Sequence, residues 1–149
     1  MTALLLHPRI TLAARFILGA VFIAAALPKL ADPPGFMRAL WNYLLFPGWA
    51  LGPMALVVPW LELLCGLALI AGLWPRAAAG WLGLMLLAFV AALSINLARR
   101  HPVDCGCFGS HPGPPRSEPE RLAALRWDIL RDLGLLLLAA QILAATRKP

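Results

Sequence analysis

The chain has 149 residues, 61% of them hydrophobic and only 13% charged, with a mean hydropathy of +0.78. Soluble domains are typically about 45–50% apolar and about 25% charged, so this composition excludes an ordinary soluble domain and points to an all-α membrane protein embedded in a lipid bilayer. The formal net charge of +6 does not indicate nucleic-acid binding. Its bases are scattered at the ends of apolar stretches, where they serve as topology and headgroup anchors, and form no patch that tracks phosphates.

The apolar stretches predict a single domain over residues 1–149, a four-transmembrane-helix bundle with spans at about 11–27, 50–73, 77–98 and 125–145. Within their apolar parts (11–27, 50–73, 77–98 and 133–145) the only charged side chains are Arg15 and Glu62. Ala24, Ala25 and Ala26 imitate a signal-peptide cleavage site, but Arg15 inside the run marks a retained helix.

Residues 28–49 form a first loop rich in proline and glycine. Phe36, Trp41, Tyr43, Phe46 and Trp49 place it at the membrane interface, with a short amphipathic helix around Phe36 to Leu45. Pro53 and Pro59 interrupt the second span and predict a kink. Trp74-Pro75-Arg76 is a tight turn that makes the second and third spans an antiparallel hairpin. Seven prolines and glycines between 101 and 117 exclude a regular element there. A helix then starts near Ser117, which has capping-box spacing to Glu120, with Pro119 in the first turn. Its apolar part is short for a crossing, so its charged first turns either enter the protein interior or extend outward as a stalk.

Cys105-Gly106-Cys107-Phe108-Gly109, the CxC loop before the last helix, carries the most chemical information. Two cysteines around one glycine can close a strained, reducible disulfide, and strained exposed disulfides tend to be catalytic or regulatory. Three readings stand side by side. The pair could be a small-loop staple. It could bind a soft metal, with Cys105, Cys107, His101, Asp104 or His111 as ligands. Or it could perform thiol-disulfide exchange, with Arg99, Arg100 and His101 favouring the thiolate and Asp104 opposing it.

Glu62 is expensive in mid-span and by default marks a site or a partner; Arg15 is the first candidate to pair with it. Such a pair could merely fix helix packing, or Glu62 could accept a proton or bind a quinone headgroup. Cys65 shares a helix face with Glu62 and reads as apolar filler. Trp127, Asp128, Arg131 and Asp132 form a charged collar on the last helix, where Asp128 and Arg131 can pair; it is either a solvated helix start or a group that orients the cysteines or docks a partner.

These residues resemble the MauE branch of the broader DoxX-like family of small four-helix membrane proteins. The carriers are Arg15, Pro28-Lys29-Leu30-Ala31-Asp32-Pro33, Pro59-Trp60-Leu61-Glu62, Asp104-Cys105-Gly106-Cys107-Phe108-Gly109, and Trp127 with Arg131. Asp132 departs from the asparagine more usual in the family, and Cys65 is not part of its pattern. The resemblance implies a role in maturing exported, disulfide-rich proteins such as the methylamine dehydrogenase small subunit, beside a thioredoxin-like partner. Relatives occur with quinone or thiosulfate oxidoreduction. The implied activity is that of a thiol-disulfide oxidoreductase: Cys105 and Cys107 alternate between dithiol and disulfide while a quinone near Glu62 and Arg15 takes or supplies electrons. The alternatives are a transporter or binder of a soft metal or thiol ligand, and a non-catalytic scaffold.

Topology strains against this picture. Eight bases (Lys29, Arg38, Arg99, Arg100, Arg116, Arg121, Arg126 and Arg131) share the side of the first and third loops, against Arg9, Arg76, Arg147 and Lys148 on the other. Read literally, the positive-inside rule puts the CxC loop in the cytoplasm, whereas disulfide chemistry wants it on the outer face of the bacterial inner membrane. Six acids share the basic side and none the other, and the expectation is an external loop.

Overall fold

The computed structural model describes residues 7–103 and 117–146. The described residues form five helices: α1 Pro8–Ala31, α2 Pro33–Asn42, α3 Gly48–Ala71, α4 Pro75–Ala98 and α5 Glu118–Ala145. Helices α1, α3 and α4 each have 24 residues and a mean hydropathy of 2.2 over their most apolar window. At 1.5 Å per residue each is about 36 Å long, enough for a hydrocarbon core of about 30 Å. Their outward faces carry Phe16, Ile17, Leu56, Leu64, Trp81 and Leu87, all about half exposed, as lipid-facing surfaces require. The chain is therefore a multi-pass helical membrane protein with three helices long and apolar enough to cross.

Several sequence expectations shift at their boundaries. The sequence predicts a first span at 11–27 and a loop from Pro28, but α1 runs through Pro28 to Ala31. A proline inside a membrane helix removes one donor without ending it, because neighbouring groups satisfy the freed carbonyl. Helix α3 likewise continues through Pro53 and Pro59. The interfacial helix lies at Pro33–Asn42, with the Asp32 carboxylate accepting from the Gly35 amide at 3.0 Å. The capping box at Ser117 and Glu120 is formed, the Ser117 amide donating to Glu120 Oε2 at 2.8 Å.

Helices α1 and α3 run antiparallel and cross where each has glycine. A Cβ on Gly19 would lie 2.8 Å from the Gly66 carbonyl oxygen, and one on Gly66 would lie 2.9 Å from that of Gly19. Small residues at such a crossing let two backbones approach, the packing contact that drives helix association in lipid. Helix α5 packs antiparallel on α4, with Gly83 opposite Ala139, and its far end reaches α1, where Gln141 donates to Thr11 Oγ1 at 3.0 Å. One apolar cluster, including Ala14, Leu18, Phe22, Leu69, Leu82, Leu86, Ala139 and Ile142, joins α1, α3, α4 and α5. Two others gather around Tyr43, Leu93, Val103 and Leu125 and around Phe36, Leu40, Leu51 and Ala55.

The hairpin of α3 and α4 forms, but its turn is Gly72 to Trp74, and Pro75 and Arg76, expected in the turn, open α4 instead, because a proline fits the first helical turn. Gly72 ends α3 in the left-handed region at φ +78°, and the Leu73 amide closes back on the Ala68 carbonyl at 2.9 Å, the signature of a Schellman cap. The last turn's Leu69 carbonyl is taken by Arg15, whose Nε and Nη2 donate to it at 3.0 and 2.8 Å. A guanidinium at a helix C-terminus also opposes the negative end of the dipole. The site has no room for a side chain at 72, where a Cβ would lie 2.6 Å from Arg15 Nη2. Gly72→Ala is therefore expected to lower stability by about 1–3 kcal/mol, measured by thermal unfolding in detergent.

Candidate functional site

The centre of the bundle holds a buried ion pair. Lys29, near the end of α1, donates from Nζ to both oxygens of Glu62 on α3, at 2.7 and 2.8 Å, with both side chains at most 2% exposed. The ammonium also lies over the rings of Phe36 and Phe89, 5.1 and 5.7 Å from their centroids. Such cation–π contacts contribute more when water is excluded.

Arg15, the partner expected for Glu62, is engaged elsewhere. It precedes Lys29 by 14 positions, about 21 Å along a helix, and so lies level with the end of α3 and not with Glu62. Lys29 is hidden in the sequence because Pro28 looks like the end of the span. The signal was present nonetheless: Leu18, Phe22, Ala25 and Lys29 recur every three to four residues on the buried face of α1.

The collar on α5 lies beside this pair. Arg131 donates to Asp128 Oδ1 at 3.0 Å from Nη1, and to Asp132 Oδ1 at 3.2 and 3.0 Å from Nε and Nη2. One guanidinium thus bridges two carboxylates that would otherwise repel. The early turns of α5 are consequently not a simple solvated face: Asp132 is buried, whereas Trp127 is largely exposed. Arg131 and Asp132 line a cleft with Val21, Phe22, Ala25, Lys29, Glu62, Leu86, Phe89 and Leu135. The cleft has apolar walls and a charged floor, and its volume of about 30 Å³ is room for a water or two.

The two residues expected to hold a quinone do not share this cleft: Glu62 lines it, with both oxygens accepting from Lys29, whereas Arg15 caps α3. Cys65 packs partly buried against the apolar cluster of α1, α3, α4 and α5 and is a free thiol, as a filler would be. Asn96, not singled out from the sequence, is fully buried on α4; its amide nitrogen donates to the Ala92 carbonyl at 3.0 Å.

Cys105, Cys107, Asp104 and His111 lie outside the described residues. The segment that leads to them is firmly seated. His101 Nε2 lies 3.0 Å from the Asn42 carbonyl oxygen at the end of α2, and Arg121 on α5 donates to the Pro102 carbonyl at 3.1 Å. Val103 is buried with Tyr43, Ala92, Leu93 and Leu125. His101, Pro102 and Val103, the last described residues before the cysteines, are thus held against α2, α4 and α5.

Fold and site together define a small multi-pass helical membrane protein with charged side chains buried among its helices. Residues 7–145 match the family described as methylamine utilisation protein MauE, and the chain belongs to that family. It is 40% identical over 107 residues to a methylamine utilization protein MauE of Methylorubrum extorquens, covering 71% of this chain and 58% of that protein. Against those of Paracoccus denitrificans and Methylophilus methylotrophus the identities are 37% over 109 residues and 34% over 108, each 72% of this chain and 59% and 57% of the relative. The chain thus spans less than three fifths of the length of these relatives. No solved structure matches it.

Proposed function

We propose that this chain is the membrane component of a protein-maturation step of the methylamine-utilisation type, and that Cys105 and Cys107 perform its thiol-disulfide exchange with a thioredoxin-like partner or an exported client. In one direction, a thiolate of the reduced pair attacks the partner's disulfide and forms a mixed disulfide. The second thiolate then resolves it, leaving Cys105 and Cys107 joined and the partner with two thiols. The partner's disulfide accepts both electrons, so no further oxidant enters the step, and the reverse runs through the same intermediate.

Family membership over residues 7–145 carries this reading, since the match includes the cysteine segment. The anchoring of His101, Pro102 and Val103 just ahead of that segment supports it. Helix α5, 28 residues long and about 42 Å by its rise, serves as the fourth crossing, with Arg131 and Asp132 turned to the protein interior. This lightens the topological strain, because Lys29 and Arg131 belong to buried or half-buried ion pairs and do not mark an aqueous flank. The cysteine loop then faces outward from the bacterial inner membrane. A membrane quinone is a further source or sink of electrons for the pair, but the exchange itself needs none.

The test is a Cys105→Ser, Cys107→Ser variant. Disulfide formation in the exported client, followed by mass spectrometry, is expected to fall at least about tenfold while the variant inserts and folds normally. Full client maturation with both cysteines replaced would leave only a scaffold.

A further inference from the structure

Lys29 and Glu62 are taken out of water on α1 and α3, and their cleft reaches a second ion pair on α5. Burying two charges costs several kcal/mol each, and well-packed apolar residues of similar size often stabilise a fold as well or better. Ionisable groups facing a cavity within a membrane helix bundle are the usual carriers of protons.

We propose that this cleft is a proton-binding site in which the Glu62 carboxylate accepts a proton from a hydronium ion reaching the cleft and Lys29 then exchanges Glu62 for Asp132 as its counter-ion. The charged groups facing the cleft are Lys29 from α1, Glu62 from α3, and Arg131 and Asp132 from α5; α4 contributes only Leu86 and Phe89. On α2, Phe36 meets the ammonium, while Arg38 points away and is mostly exposed. In the step an O–H bond of a hydronium breaks and one on Glu62 forms, leaving water and a neutral carboxylic acid. Lys29 remains an ammonium, and Asp132 lines the same cleft. The cleft volume of about 30 Å³ suits this occupant, since it holds a water or two. The site goes beyond the thiol reading and does not rest on it.

A lipophilic carbodiimide, which reacts with protonated carboxyls in apolar surroundings, tests the site in the full chain in lipid vesicles. Peptide mass spectrometry is expected to find the adduct on Glu62, its rate rising about tenfold per pH unit as the pH falls until the group is fully protonated. In Asp132→Asn, where Lys29 has no second counter-ion, the rate at a given pH should drop at least about tenfold. Infrared difference spectra across the same titration should show a protonated-carboxyl band that Glu62→Gln removes. If Glu62→Gln does not fold, adduct mapping on the unsubstituted protein decides alone. No adduct at any pH that preserves the helices, or an adduct confined to Asp132, overturns the proposal.

Discussion

Lys29→Met is expected to destabilise the bundle by about 3–5 kcal/mol, because it leaves the Glu62 carboxylate buried without its only described cation partner. Glu62→Leu should cost less, because Asp132 lines the same cleft and remains as a counter-ion for the ammonium. The informative result is the double variant. With both charges gone, the cost of desolvation disappears with the attraction, and Lys29→Met with Glu62→Leu should recover most of the stability lost by either single change. Unfolding of the three variants in one detergent, followed by circular dichroism, gives the coupling. Additive losses would mean that the two side chains contribute separately, contrary to a bidentate pair at 2.7 and 2.8 Å.

The second large effect concerns backbone approach. Gly66→Val introduces a Cβ 2.9 Å from the Gly19 carbonyl oxygen and equally close to Ile23 Cγ1. The obstacle is main chain as well as side chain, so the helices must separate, at a cost of about 3 kcal/mol. Separation also pulls Glu62, one turn away on α3, from Lys29, so proton binding in the cleft should change with stability. Gly52 and Gly134 are the controls: nothing lies within 4 Å of a Cβ at either position. Alanine there should be neutral or stabilise by about 0.5–1 kcal/mol, since glycine is a poor helix residue. Equal losses at all three positions would remove the crossing from the account.

Much of this architecture could be read from the residues. The long apolar runs have one structural solution in lipid, because every backbone group must bond within its own helix. The Ser117 cap and the Asp128–Arg131 pair follow from spacing alone. Lys29 did not, because proline and lysine together look like a span end in a linear reading, whereas their buried face shows only when α1 is continued through Pro28. Arg15 was misassigned for a different reason. Its partner is the Leu69 backbone carbonyl, and a carbonyl leaves no mark in a sequence. Glu62 was recognised as costly, but its true cation lay just outside the stretch in which a partner was sought. Asn96 gave no signal at all, since one amide in an apolar helix says nothing about where its oxygen points.

Under the proposed function, Cys105 and Cys107 form an oxidised, externally facing pair at rest. A membrane-impermeant thiol reagent applied to intact cells or spheroplasts, with adducts mapped by mass spectrometry, tests it directly. Labelling of both cysteines from outside only after prior reduction is the predicted result. Free labelling without reduction, blocked by added soft metal ions, would contradict it and make the loop a metal site.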